Sequence, residues 1–308
     1  MRKLLWTTAV AVAALVATGA STFALMIAPS PPGQRAASAD VVVAGKVTAV
    51  AKDLVEAPSP FVGATDKQKF QMVTVKVQSG LIGAGKMTEI KVGYIPPPKP
   101  DPNANLPPGG GIRPPLRRGP VIELKEGQEM LLFLAKHPKA DFYVIPGMSL
   151  PVDLSNDQGK KELEIVKKVA AVLADPMKGL KSDKADVRAE TAAIMVTKYR
   201  AYPAIGGQTE QVAINADESK LILKALLDGD WSNRGFRFDG PPNPFMAFQS
   251  LGLNEKDGWV QPVIVNNPGA PPVDYAAVMK DAFAKWLDGA GKKYVIKKVV
   301  AKPAASEK

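Results

Sequence analysis

The hydrophobic period of this chain changes once, near Asp153, and that change limits it to a β block followed by an α block. Before it, apolar residues alternate. Val41, Val43, Val47 and Ala49 interleave with Val42, Ala44, Lys46, Thr48 and Val50, so both faces of this stretch are largely apolar. Val73, Val75 and Val77 alternate with Thr74, Lys76 and Gln78, and Ile90, Val92 and Tyr94 with Glu89, Lys91 and Gly93. Met130 to Leu134 is a short apolar run after the Glu126-Gly127 turn, and Phe142 to Ile145 stops at Pro146-Gly147. A period of two in short runs bounded by turn residues is the signature of strands. Five strands with no helix between them predict a small barrel over residues 40–154.

After Asp153 the period becomes helical. Leu163, Val166, Ala170 and Leu173 form one stripe that ends at Asp175-Pro176. Further helices are predicted from Lys184 to Tyr199, with Val187, Ile194 and Met195 inward, and from Glu218 to Leu227 with Leu221, Ala225 and Leu226 inward. The clearest runs from Asp274 to Leu287, with Tyr275, Val278, Met279, Ala282 and Trp286 on one face. Tyr294, Ile296 and Val300 read as a closing strand, which makes residues 155–302 a helical domain and residues 303–308 a tail. The predicted fold class is α+β: a five-stranded barrel, then a short helical domain.

Two segments stand outside this scheme. Residues 95–120 hold ten prolines and the Gly109-Gly110-Gly111 run. Proline lacks the amide donor that a ladder or a helix interior requires, so an exposed insertion with polyproline-like pieces is expected. At the other extreme, Arg2 and Lys3 precede the uncharged stretch Leu4 to Ala28, and no acid occurs before Asp40. That is the layout of a secretory signal, here residues 1–39. Ala37-Ser38-Ala39 fits small-x-small cleavage, which would leave Asp40 as the mature amino terminus, and Thr18-Gly19-Ala20 is a second candidate. The 25-residue apolar stretch is also long enough to remain as an uncleaved anchor, since about 20 residues cross a bilayer. Either way the folded part is expected outside the cytoplasm: periplasmic, on the cell surface or secreted.

The first block resembles the OB-fold barrels of the netrin and tissue-inhibitor-of-metalloproteinase type in exported bacterial proteins. The residues that carry the likeness are Ala39 to Val47, then Val73 to Val77 leading into Gly80, then Gly127-Gln128-Glu129 before Leu131 to Leu134. Inhibitors of that kind chelate a catalytic metal through an amino-terminal cysteine. The chain has no cysteine, so that activity does not carry over. The second block is similar to HEAT repeats at Asp186-Val187-Arg188 and Ala192-Ala193. The resemblance implies an arginine and an aspartate tying neighbouring turns and alanines permitting close packing. One copy is legible, so a short array and a plain bundle both remain open.

The absence of cysteine also excludes disulfides, thiol catalysis and thiolate metal sites. His137 is the only histidine, so neither a histidine zinc cluster nor a recognisable triad can be assembled, and its replacement is expected to cost little. No phosphate-binding loop or dinucleotide fingerprint occurs. Asp228 to Asp239 approaches calcium-loop spacing, but Asn233 stands where glycine is needed and Gly240-Pro241-Pro242 blocks the exit helix. Trp231, Phe236, Phe238 and Trp259 read as a plug for the helical core rather than a stacking surface. Glu162 with Glu164, and Asp183 with Asp186, read as solvated helix surface.

No catalytic, cofactor-binding or metal-binding residue is therefore assigned, and no cofactor is expected. The chain reads as an exported, non-catalytic binding or scaffolding protein. The formal charge of +10, which is +7 without residues 1–39, suits a protein partner or an anionic polymer without specific nucleic-acid readout. Membrane contact is expected only if the amino-terminal segment is retained. The alternative is a hydrolase or lyase acting on an extracellular polymer, which requires an apolar cleft with two inward carboxylates. A groove without ionisable groups would favour binding.

Overall fold

Valines crowd Val41–Val50 (β1), and the structure uses both sides of them. A computed structural model describes residues 30–61, 63–97, 122–147, 149–232, 240–264 and 273–302. In it β1 pairs antiparallel with β3 (Lys67–Ile82) on one edge and with β5 (Glu129–Lys136) on the other. β3 continues to β4 (Glu89–Tyr94), β4 runs parallel to β6 (Tyr143–Val144), and β6 returns to β5. The pairings thus lead from β1 round to β1. Two strands absent from the sequence reading complete a seven-stranded mixed sheet: β2 (Val55–Pro58) on β3, and β7 (Val152–Asp153) on β5.

Val41, Val43 and Val47 meet Val75, Val92, Leu132 and Leu134 in the core on one side of β1. Val42 and Ala44 face the other way and pack with Phe133, Val166, Val169 and Ile194. This second core joins sheet to helices, which explains why β1 reads as apolar on both faces.

The helical layer holds α2 (Asp157–Ala174), α3 (Pro176–Leu180), α4 (Ala185–Arg200), α5 (Ala216–Asp228), α6 (Pro244–Leu251) and α7 (Tyr275–Asp288). Asn156, Asn215, Asn243 and Asp274 accept hydrogen bonds from amides in the first turns of α2, α5, α6 and α7. α4 is central, buried from Ala189 and from Thr191 to Val196. Val187, expected inward, is exposed. Its neighbour Arg188 donates to the carbonyls of Ser182 and Asp183 and pairs with Asp228 at 3.4 Å, joining the turn before α4 to the end of α5. The expected closing strand exists as β9 (Lys297–Ala301), but it pairs with β8 (Thr209–Ala213) in a separate two-stranded sheet.

Residues 30–39, assigned from sequence to the targeting segment, carry a helix, α1 (Pro32–Ser38). Pro32 at its first position has the φ a helix needs and no amide to lose. Ala36 and Ala37 are completely buried in the core shared with α2 and α4. Arg35, 7% exposed, pairs with Glu162 at 3.0 Å, donates to the carbonyl of Leu150, and lies 4.5 Å from the centre of the Phe133 ring. Glu162 is therefore not the solvated acid that its sequence suggests. Lys198 on α4 donates to the carbonyl of Ala39 at 2.9 Å. Burial lowers the lysine's pKa while Asp40 opposes the shift. Cleavage after Ala39 would remove all of α1 and leave Glu162 and Leu150 without these partners. The amino-terminal residues 1–29, nearly all of the proline-rich segment (98–121), most of the calcium-like loop (233–239) with Phe236 and Phe238, and the tail 303–308 lie outside the described residues.

Candidate functional site

His137 is buried, with both ring nitrogens engaged. Nε2 donates to the carbonyl of Pro58 at 2.9 Å, and Nδ1 accepts the amide of Lys139 at 3.0 Å. Only a neutral ring with its proton on Nε2 makes both bonds. Phe70 and Phe142 pack against it at 6.0 and 4.8 Å between ring centroids. The histidine thus pins the end of β5 to β2. His137→Ala leaves a cavity and an unpaired carbonyl, and is expected to cost about 2–4 kcal/mol in urea unfolding. This exceeds the small cost expected from the sequence.

Trp231 and Trp259 are also interior. Trp231 stacks among Phe245, Phe248 and Phe283, and its Nε1 donates to the carbonyl of Leu226 at 2.8 Å. Trp259 packs on Phe248 and Trp286. Neither offers a face for a sugar or a base. Among the described residues no group of three or more His, Cys, Asp or Glu side chains is placed to hold a metal, and no helix is long and apolar enough to cross a membrane.

Acids do converge at a cleft of about 260 Å³ where the start of α1 meets α4 and the start of α6. Local chemistry builds this junction. The Asn243 side chain accepts the amides of Phe245 and Met246, and Pro244 opens α6. Gly33 lets α1 approach the Gly240-Pro241 backbone, because a Cβ there would stand 3.0 Å from the Gly240 oxygen. Pro31, Pro241, Pro242, Pro244 and Met246 give the wall its apolar part. Glu190, Asp186 and Asp230 give it negative charge.

The three acids differ. Glu190 is half-buried, and desolvation pushes its pKa up against the pull of Lys168, with Asp186 adding to the rise. Asp230 is exposed, and its pKa is lowered by hydrogen bonds from the Ser232 hydroxyl and amide at 2.6 and 2.8 Å. Asp186 is exposed at the rim. One carboxylate therefore faces inward and two face solvent, so the wall can accept hydrogen bonds but does not pair two buried acids. Two inward carboxylates flanking a reacting bond would look different. Glu190 had no signal in the sequence: it is an ordinary acid on a helix until α1 and α6 wall it in.

A second cavity of about 370 Å³ lies between α1 and the end of the sheet, and Ser30, Arg35, Phe133 and Pro146 line it. Two aromatic residues in its wall, Phe61 and Tyr202, are 40% and 68% exposed. Comparison of the whole chain with known protein families, with curated proteins and with solved structures finds no match.

Proposed function

We propose that the chain is an exported, non-catalytic binding or scaffolding protein whose cleft between α1, α4 and α6 receives a cationic segment of a partner protein. In this reading the seven-stranded sheet is an OB-type barrel of the netrin-like kind. The helices are a short HEAT-like layer, fixed to the barrel by the core they share. The single observation that carries the proposal is the make-up of the cleft: proline rings and Met246 for apolar contact, Glu190 inside, and Asp186 and Asp230 on the rim. Lysine or arginine side chains fit such a wall, laying their stems on the prolines and their donors on the carboxylates.

The opposed shifts of Glu190 and Asp230 are what a hydrolase would need of an acid and a base. With Asp230 facing solvent beside its own turn, the binding reading is the stronger. The surface lysines Lys292, Lys293 and Lys297 supply charge well separated in sequence from the cleft residues.

The test is calorimetric titration with a short proline peptide carrying two arginines and with its glutamate counterpart. Only the arginine peptide is expected to bind, and Glu190→Gln with Asp186→Asn should weaken it about tenfold, equivalent to ~1.4 kcal/mol. Binding of the acidic peptide, or equal affinity in the double variant, overturns the assignment.

Stability gives a second prediction. Because the folded state raises the pKa of Glu190, it holds that proton more tightly than the unfolded chain does. Stability from this group is present at low pH and is lost as pH rises from the ordinary glutamate range through the raised value. Glu190→Gln should therefore melt at or above wild type at pH 7. Its advantage should shrink as pH falls through that window, in thermal scans at fixed ionic strength.

A further inference from the structure

The apolar stretch Leu4 to Ala28 ends two residues before Ser30, which lines the second cavity. Consecutive Cα atoms are about 3.8 Å apart, so Ala28 lies within roughly 8 Å of Ser30. The pattern that would free the body, Ala37-Ser38-Ala39, lies in and just after α1, where Ala37 is fully buried and Ala39 nearly so. Cutting there discards the Arg35–Glu162 pair. Cutting at Thr18-Gly19-Ala20 instead would keep the apolar residues Phe23, Leu25, Met26 and Ile27 on the mature chain.

We propose that residues 4–28 stay attached as a membrane anchor and that the face around Ser30, Phe61 and Tyr202 rests on the lipid headgroups. Only Pro29 separates Ala28 from Ser30 in the sequence, and Pro31 and Pro32 stiffen the entry to α1. Whatever surrounds Ser30 is therefore held at the bilayer. What surrounds it is a cavity walled by Phe61 and Tyr202, which expose 40% and 68% of their surface. Exposed aromatic rings, above all tyrosine with its polar tip, are the side chains that settle at the level of headgroups. The length of the apolar stretch, the point at which it ends and the position of these rings select the same occupant, a bilayer surface.

The absence of cysteine makes the test clean, because one introduced thiol can be labelled alone. Tyr202→Cys and Lys52→Cys are compared in the full chain. Lys52 is exposed just beyond β1, past the end of that strand opposite α1. Each variant is expressed in a bacterium with an inner membrane, recovered, weighed intact and labelled with a fluorophore. It is then placed in phosphatidylcholine–phosphatidylglycerol vesicles containing nitroxide-headgroup lipid.

The expected result is an intact mass that includes residues 1–29 in a carbonate-resistant membrane fraction, with quenching at position 202 at least threefold stronger than at position 52. A mature chain that begins at Ser21 or Asp40, or one that carbonate releases, overturns the anchor. Equal or weaker quenching at position 202 overturns the proposed face. Failure of peptide binding at the cleft, measured in detergent, leaves the quenching ratio unchanged, so the two proposals fail separately.

Discussion

Arg35→Ala is expected to destabilise the protein by about 3–5 kcal/mol, the cost typical of removing one partner from a buried ion pair. The Arg35 side chain is 7% exposed and that of Glu162 16%. The substitution leaves the largely buried Glu162 carboxylate without its cation, with only Gln158 still donating to it, leaves the carbonyl of Leu150 without its donor, and removes a cation from the face of Phe133. Desolvation already lowers the pKa of Arg35, and Glu162 opposes that shift, so the arginine's charge leans on the carboxylate. Replacing both, as Arg35→Met with Glu162→Leu, should restore most of the loss, since apolar isosteres of buried pairs are often neutral. Urea unfolding of the three variants decides. A loss below 1 kcal/mol for Arg35→Ala would mean that α1 is not held as described.

Trp286→Ala should cost a similar 3–5 kcal/mol for a different reason, the cavity left by a large core aromatic. Trp286 is 5% exposed, lies nearly parallel to Phe283 at 5.6 Å between centroids, and donates from Nε1 to the carbonyl of Asp257 at 2.9 Å. Removing the indole therefore also leaves a carbonyl unpaired. Gly291 lies against the same ring, where a Cβ would stand 2.7 Å from the indole, so Gly291→Ala approaches the problem from the opposite side by overpacking. Both variants should lower the melting temperature in the same helical layer. A near-wild-type Trp286→Ala would show that this face of α7 is not core.

Elements with a clean period were legible in the sequence. β1, β4 and β5 lie where alternation or an apolar run placed them, and α2, α4, α5 and α7 where helical spacing placed them. β3 is sixteen residues long although only its centre alternates, because its flanks meet β2 on one side and carry irregular register against β1 on the other. β2 was illegible for a physical reason. It is a four-residue edge strand ending in Pro58, with no alternation, and its end is tied down by His137 79 positions away. α6 had a local cue, Asn243 as cap and Pro244 as first residue, which the surrounding prolines obscured. α1 had none beyond Pro32, because its alanines read equally well as a cleavage site.

The cleft was the least legible part. Asp186 and Glu190 lie one turn apart on α4 and Asp230 follows α5, and nothing local to any of them announces that α1 and α6 will enclose Glu190. The sequence reading set two inward carboxylates against none as the marks of a hydrolase and a binder, and the cleft, with Glu190 alone inside, matches neither outright.

The anchoring of α1 has a consequence for the order of folding. Its two charged contacts span 115 and 127 positions, and Lys198 reaches Ala39 across 159. A chain made or threaded amino terminus first therefore presents α1 before any of these partners exists. A helix that emerges early is thus among the last to find its place, because contacts across such separations must wait for everything between them. Until α2 and α4 have formed, β1 stays uncovered on the face that carries Val42 and Ala44, and a chain stalled midway would expose that valine-rich strand to other copies of itself.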